Sequence, residues 1–255
     1  MDFSLYHRAI FMILCFTIYQ GIWSQSMGPI HVYYEKKVDK LIDTTESGKT
    51  KSTISKFNQI VSEDVKNLMY VLRIGEDCAL FHEQKSLIIG SSKNVMRNFT
   101  SSYGGTAGTF YINQKDSVYL NMREFSGAQF KVQISPKQWE LHPEEQKYIG
   151  DYKCIKATTM DTIANPKGVF TSDVVAWFSP ELPGLYGPAG YFGLPGLILE
   201  LQNGKISLEA KEIVFDATID SQFEIEKQKG MIVTERQYDS IVEKKAKEFF
   251  KISEF

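Results

Sequence analysis

Apolar and polar positions alternate with a period of two through much of this chain. Ile30, Val32 and Tyr34 alternate with His31, Tyr33 and Glu35, the pattern of a strand with one buried face. "LMYVLRI" and "CALFHEQ" flank Gly75-Glu76-Asp77 and predict a hairpin. "TFYI", "SVYLNMREF" and "FKVQI" predict a three-stranded meander, and "YKCIKATT" and "DVVAWFSP" add two more strands. "LILELQNGKISLEAKEIVF" is the strongest hairpin signal, with Asn203-Gly204 in the two-residue loop position that demands positive φ.

The period changes near the C-terminus. Thr234 and Gln237 are spaced as a capping box, and Tyr238, Ile241, Val242, Ala246 and Phe249 then fall on one helical face, over about 234–251. Residues 41–56 are polar and read as a loop or ragged turn, a weaker helical pattern covers 55–66, and 91–108 is a Ser-, Asn- and Gly-rich loop. No internal repeat is present. The pattern predicts a mainly β fold of roughly nine to eleven strands: one antiparallel curved sheet or half-open β-barrel, with the C-terminal amphipathic helix packed on it.

The N-terminus follows neither period. "MDFSLYHRAIFMILCFTIYQGIWSQS" has a basic step at Arg8, an apolar stretch from Ala9 to Tyr19, then small residues. This is the layout of a secretory signal peptide over 1–24, with cleavage after Ser24 or Ser26 and a single β-rich domain over 27–255. The apolar stretch is too short for a transmembrane span, which needs about 20 residues, so the mature chain is expected to carry no span. Export places the protein in the periplasm, at the outer membrane or outside the cell.

Export changes how the cysteines read. Cys15 leaves with the leader, and Cys78 and Cys154 remain in an oxidising compartment, where a disulfide between them is expected, closing a loop of about 75 residues. Two buried free thiols are the alternative.

Net charge is -2 with 24% charged residues, which argues against a nucleic-acid partner. Familiar chemical signatures fail one by one. "ESGKT" ends like a phosphate loop, but Asp43 stands where the motif needs glycine. "HEQKS" starts like a zinc-protease helix, but Ser86 replaces the second histidine. G-x-S-x-G, S-x-x-K and G-x-G-x-x-G do not occur, and the carboxylates are scattered. No catalytic residue, metal site or cofactor is expected from these residues.

One stretch stands apart. "PGLYGPAGYFGLPGLILEL", Pro183 to Leu201, spaces glycines every third residue among Pro183, Pro188 and Pro195, then becomes an apolar run. Too few triplets are present for collagen. Repeated glycine permits left-handed turns and close approach, and Tyr186, Tyr191 and Phe192 supply flat apolar surface. Trp177, Phe178, Tyr186, Tyr191 and Phe192 are the candidate ligand- or partner-binding residues, lining the mouth of the sheet.

Gly193-Leu194-Pro195-Gly196-Leu197-Ile198 resembles the signature of the GLPGLI family of exported proteins of certain Gram-negative bacteria. "YIGDYKCIKATT", "VVAWFSPELP" and "KGMIVTERQY" are similar to other blocks of that family in the same order, although Asp151 intervenes between Gly150 and Tyr152. The resemblance runs well from Ser117 to Phe250 and weakly before that. It implies an envelope protein without an assigned catalytic residue, discussed beside outer-membrane transport components, with a sheet similar to periplasmic lipoprotein carriers that hold acyl chains.

The expected function is therefore a non-enzymatic binding or accessory protein for an apolar or peptidic ligand or an outer-membrane transport partner. The alternatives are a hydrolase whose site is assembled from distant residues, and a purely structural or assembly protein. Gly193 to Ile198 are expected to build the fold, and the segment before them to bind.

Overall fold

The computed structural model describes residues 28–39, 49–84, 100–101, 105–165, 168–215 and 229–252. The expected leader with Cys15, and most of the two polar stretches at 41–56 and 91–108, lie outside them, although 49–56 are helical. The strands are β1 (Ile30–Val38), β2 (Met69–Ile74), β3 (Cys78–Glu83), β4 (Thr109–Asn113), β5 (Val118–Phe125), β6 (Ala128–Gln133), β7 (Glu140–Ile149), β8 (Tyr152–Asn165), β9 (Gly168–Ser179), β10 (Leu197–Asn203), β11 (Ile206–Phe215) and β12 (Met231–Thr234). The helices are α1 (Lys49–Val65) and α2 (Glu235–Ile252). No helix among the described residues is long and apolar enough to cross a membrane.

All twelve strands form one sheet in the order β12-β6-β5-β4-β3-β2-β1-β11-β10-β9-β8-β7. Every pairing is antiparallel except β12 on β6, so the sheet is mixed, and β12 and β7 are its unpaired edges, so it does not close into a barrel. The hairpins follow turn chemistry. Ser126 and Gly127 both have positive φ (53° and 79°) in the β5–β6 loop, as a type I′ turn requires. At β10–β11 Asn203 pairs with Ile206, so the loop is Gly204-Lys205, one residue later than expected, with Gly204 taking the positive φ. Gly150-Asp151 is likewise a two-residue loop between β7 and β8.

The sequence does not announce β7. "ELHPEEQKYI" carries a proline and adjacent glutamates, and the register slips between His142 and Gln146. An edge strand tolerates both features, because Pro143 needs no partner for its missing N–H and a bulge blunts the edge. β12 is only four residues long and pairs in parallel, so no hairpin signal marks it.

One face of the sheet is buried. Ile30, Val32 and Tyr34 of β1 share it with Tyr70 and Leu72, Phe81, Phe110, Leu208 and Leu201 of neighbouring strands. Val61 and Val65 of α1 pack into the same core at helical spacing. A second, smaller cluster joins Phe130 and Val132 of β6 and Val233 of β12 to Tyr238, Ile241 and Val242 of α2. The capping box forms: the Gln237 N–H donates to Thr234 Oγ1 (3.2 Å) and the Thr234 N–H to Gln237 Oε1 (2.8 Å).

The expected disulfide does not form: Cys78 and Cys154 are both free thiols. Cys78 begins β3 and Cys154 lies in β8, with five strands between them in the sheet. The sheet order separates residues whose side chains must approach within a few ångströms to bond. Cys154 is fully buried, and burial pushes its thiol up to about 11.

Candidate functional site

The glycine-rich segment leaves β9 and crosses the buried face before it enters β10. Leu182, Tyr186, Tyr191, Phe192 and Leu194 are all buried there. A short 3-10 turn at Pro188–Gly190 sets Gly190 against β4, where a Cβ would stand 2.6 Å from Phe110 Cδ1. Phe192 packs on Tyr119 of β5 (ring centroids 4.7 Å), and its carbonyl accepts from Trp139 Nε1 at 3.0 Å. The Tyr34 phenol donates to the Ile198 carbonyl at 2.5 Å, tying the signature to β1. The chain thus fills the hollow of its own sheet with this segment, signature and lead-in alike.

Four of the five expected binding aromatics, Phe178, Tyr186, Tyr191 and Phe192, belong to that core. Trp177 is only partly buried and packs at the margin of that core. It follows the opposite side of β9 from Phe178, as consecutive strand residues must, and is half-buried beneath the Lys147 ammonium, 4.5 Å above its ring. Lys147 also pairs with Glu200 at 2.6 Å on that outer face.

A concavity with several convergent polar groups lies where the sheet curls. A cleft of ≈ 530 Å³ has Asn121 and Arg123 of β5 on one wall and Asp161 of β8 on another, although these strands stand eight places apart in the sheet. Glu235, Tyr238 and Asp239 of α2 close a third side, and Tyr191 is the one expected binding residue that lines it. The volume is within the usual range for a small-molecule or peptide pocket.

Asp161 organises one end. Its Oδ1 accepts from Lys137 Nζ (2.6 Å) and the Thr162 N–H (3.1 Å), and its Oδ2 from the Tyr191 phenol (2.9 Å) and Asn203 Nδ2 (3.3 Å). Burial alone raises a carboxyl, but the Lys137 ammonium and the other donors outweigh it and hold Asp161 below the ordinary aspartate range. Burial and the Asp161 charge push the Tyr191 phenol upward, so it stays protonated and donates. Lys137, in the connection from β6 to β7, bridges the two ends of the open sheet through Asp161.

The other end is less satisfied. Arg123 Nε and Asn121 Oδ1 are buried without a hydrogen-bond partner, while Asn121 Nδ2 donates to the Ala107 carbonyl at 3.3 Å. The Arg123 guanidinium sits 5.5 Å from the centroid of the Tyr238 ring. Glu235 is exposed at the cleft rim, yet the desolvation of its carboxyl by the neighbouring wall raises it, with Asp161 and Asp239 adding to the rise and Lys137 and Arg123 opposing it. Asp239 is raised by burial against the pull of Arg123.

None of Asn121, Arg123, Lys137, Asp161 or Asp239 belongs to a motif, and Glu235 falls within the "KGMIVTERQY" block without being marked there as a site residue. A signal does exist for three of them. Asn121 and Arg123 share strand parity with Tyr119, and Asp161 with Ile155 and Ala157, so each is a polar residue at an inward position.

A separate group, His142, Glu144 and Glu145, could bring ligand atoms within 4.8 Å of one another, but it lies in the exposed bulge of β7 with His142 bonded to Thr158 at 2.8 Å and Glu145 to Lys156 at 2.8 Å.

Two solved structures share the architecture. The chain is similar to PNGF-II in its C2 and P21 space groups, with TM-scores of 0.51 and 0.50, 13% identity in each, and 84% of this chain covered. The match covers 32% and 33% of those chains, so this protein spans about a third of their length, and the likeness is one of fold. No curated protein matches the sequence. Residues 169–200, a small part of the chain running from β9 through the glycine-rich segment into β10, match the family described as "Protein of unknown function (Porph_ging)", and the resemblance to the GLPGLI family is thereby placed on the stretch that carries Gly193 to Ile198.

Proposed function

We propose that the chain is an exported binding or accessory protein of the cell envelope, and that its polar cleft takes a peptidic ligand. The observation that carries this reading is the filled hollow of the sheet. A carrier of acyl chains needs an open apolar face, and here Tyr186, Tyr191, Phe192 and Leu194 occupy that face. The cleft beside it offers donors and acceptors of both charge signs against the rings of Tyr191 and Tyr238. Extended peptide presents alternating carbonyls and N–H groups and is matched by such a surface. An outer-membrane transport component is the partner class proposed for the assembled complex.

Trp139 reports on the cleft, because its ring lies 6.2 Å from that of Tyr191. In the mature chain with Trp177→Phe it is the remaining tryptophan. Trialanine and trileucine are expected to shift its emission at saturating concentration, and palmitate to leave it unchanged. A response to palmitate alone restores the acyl-carrier reading and removes this one. Export is tested by N-terminal sequencing of protein secreted from a Gram-negative host, which is expected to start after Ser24 or Ser26.

One observation favours a second reading, a hydrolase assembled from distant residues: the cleft holds Asp161 lowered and Glu235 raised, the opposed pair that acid–base chemistry uses. Asp161 is fully engaged by four donors, which suits a structural anion better than a base. Turnover of a peptide or glycoside panel, abolished by Glu235→Gln, selects this reading.

A further inference from the structure

Resting on the peptide reading, we infer that the cleft takes a free peptide N-terminus, with the ammonium group between Glu235 and Asp239 and the first carbonyl oxygen on Arg123. Glu235 and Asp239 stand four residues apart on α2, which sets both carboxylates on one face of the helix, toward the cleft they line. Among the described residues neither carboxylate forms an ion pair, and Arg123 forms none either; its guanidinium is held by the Tyr238 ring instead.

The wall beneath is incomplete. Asn121 is fully buried with Oδ1 unpartnered, and Arg123 Nε, two residues along the same face of β5, is buried and unpartnered as well. Such orphaned polar atoms call for an explanation, and for Arg123 Nε, on the wall of the cleft, a bound acceptor supplies one. Glu235 and Asp239 are exposed at the rim of the cleft, where partial desolvation raises both carboxyls against the opposing Arg123 charge, and a further cation can reach them from solvent.

Charge then selects the end of the peptide. A C-terminal carboxylate can pair with Arg123 but is repelled by Glu235 and Asp239. An internal peptide unit offers Arg123 a carbonyl but brings no charge to the two acids. The N-terminus supplies a cation with three N–H donors and, three bonds away, a carbonyl acceptor, which answers both demands together.

Calorimetric titration of the mature chain with trialanine, N-acetyl-trialanine and trialanine amide tests this. The free peptide and the amide are expected to bind alike, and acetylation to weaken binding by about tenfold or more, the loss of a charge-assisted contact. Arg123→Gln and Asp239→Asn are each expected to weaken trialanine by about fivefold, with Arg123→Lys retaining part of the affinity, and thermal melts confirming that each variant folds. Equal binding of the free and acetylated peptides overturns the inference and leaves the peptide reading standing. Loss of binding on amidation overturns it in favour of a carboxylate at Arg123. Failure of all three peptides to bind removes the peptide reading itself.

Discussion

The Tyr34 phenol lies 2.5 Å from the carbonyl oxygen of Ile198, and both residues are fully buried. This bond joins β1 to the first strand after the glycine-rich segment, so it fixes where that segment re-enters the sheet. Burial pushes the phenol upward, and it remains a donor at any pH the fold survives. Tyr34→Phe removes the donor and strands a buried carbonyl. A loss of about 1–3 kcal/mol in urea unfolding is expected, with no change of m-value.

Lys36 continues the inward parity of β1 beyond Tyr34 and is nearly inaccessible. Its Nζ donates to the Thr100 carbonyl (2.6 Å) and Thr106 Oγ1 (2.7 Å), which pins those two residues against the core. Burial lowers its pKa to about 7, against a smaller opposing pull from Glu83. Between about pH 7 and 10.5 the unfolded chain keeps a proton that the folded chain has released, so this group makes stability rise with pH across that window and contributes no slope below it. Subtracting the Lys36→Met stability profile from that of the parent chain is expected to isolate a rising slope. A flat difference shows Lys36 charged in the fold.

The signature glycines separate into two kinds, which gives a sharp test of its structural role. At Gly196 (φ 151°) an added Cβ stands 2.2 Å from the Ser179 carbonyl oxygen, a backbone atom that cannot yield. At Gly193 (φ 94°) nothing lies within 4 Å, and only the backbone conformation resists a side chain. Gly196→Ala is expected to cost about 4 kcal/mol or more, and Gly193→Ala about 1–2 kcal/mol. Equal costs, measured by denaturant titration, contradict the close approach at Gly196.

These positions show what was legible in the chain and what was not. Ten strands follow from alternation and turn residues, because each obeys a rule local to a few neighbours. β7 and β12 escape for physical reasons: Pro143 and the slipped register after His142 break alternation, and Met231–Thr234 pairs in parallel with a strand distant in sequence. Cys78 and Cys154 suggest a bond only while the sheet order is unknown. The aromatic residues of the glycine-rich segment read equally as binding surface or as core, since composition does not say which side of a loop faces the sheet. The cleft was hidden because curling brings β5 and β8 together, although inward-facing Asn121, Arg123 and Asp161 mark it in retrospect.

Acid should release the bridge across the open sheet. Asp161 is depressed below its ordinary range, so its stabilising effect is complete above about pH 4, the unfolded aspartate value, and is lost as pH falls through the lower folded value. Asp161→Asn is expected to cost about 1–3 kcal/mol at neutral pH and to flatten the acid limb of the stability profile. The same variant frees the Tyr191 phenol from its acceptor at 2.9 Å, so the Trp139 emission beside it is expected to move. An unchanged acid limb assigns that limb to other carboxylates.

α2 rests on a cluster of its own rather than on the main core. Tyr238 packs edge-on to Phe130 (5.4 Å between ring centroids), and Val233, Ile241 and Val242 complete the contact. So small an apolar contact at a sheet edge favours opening as a unit ahead of the remaining sheet. Thr234→Ala removes the cap at the exposed start of the helix and is expected to weaken it by about 1 kcal/mol. Hydrogen exchange is expected to show amides of 238–245 losing protection about fivefold, while those of β1 and β10 stay unchanged. Glu235 and Asp239 lie one turn apart at the start of α2, and because the helix stays mostly formed, peptide affinity is expected to change little in the variant. Uniform acceleration across the sheet instead places α2 inside the global folding unit.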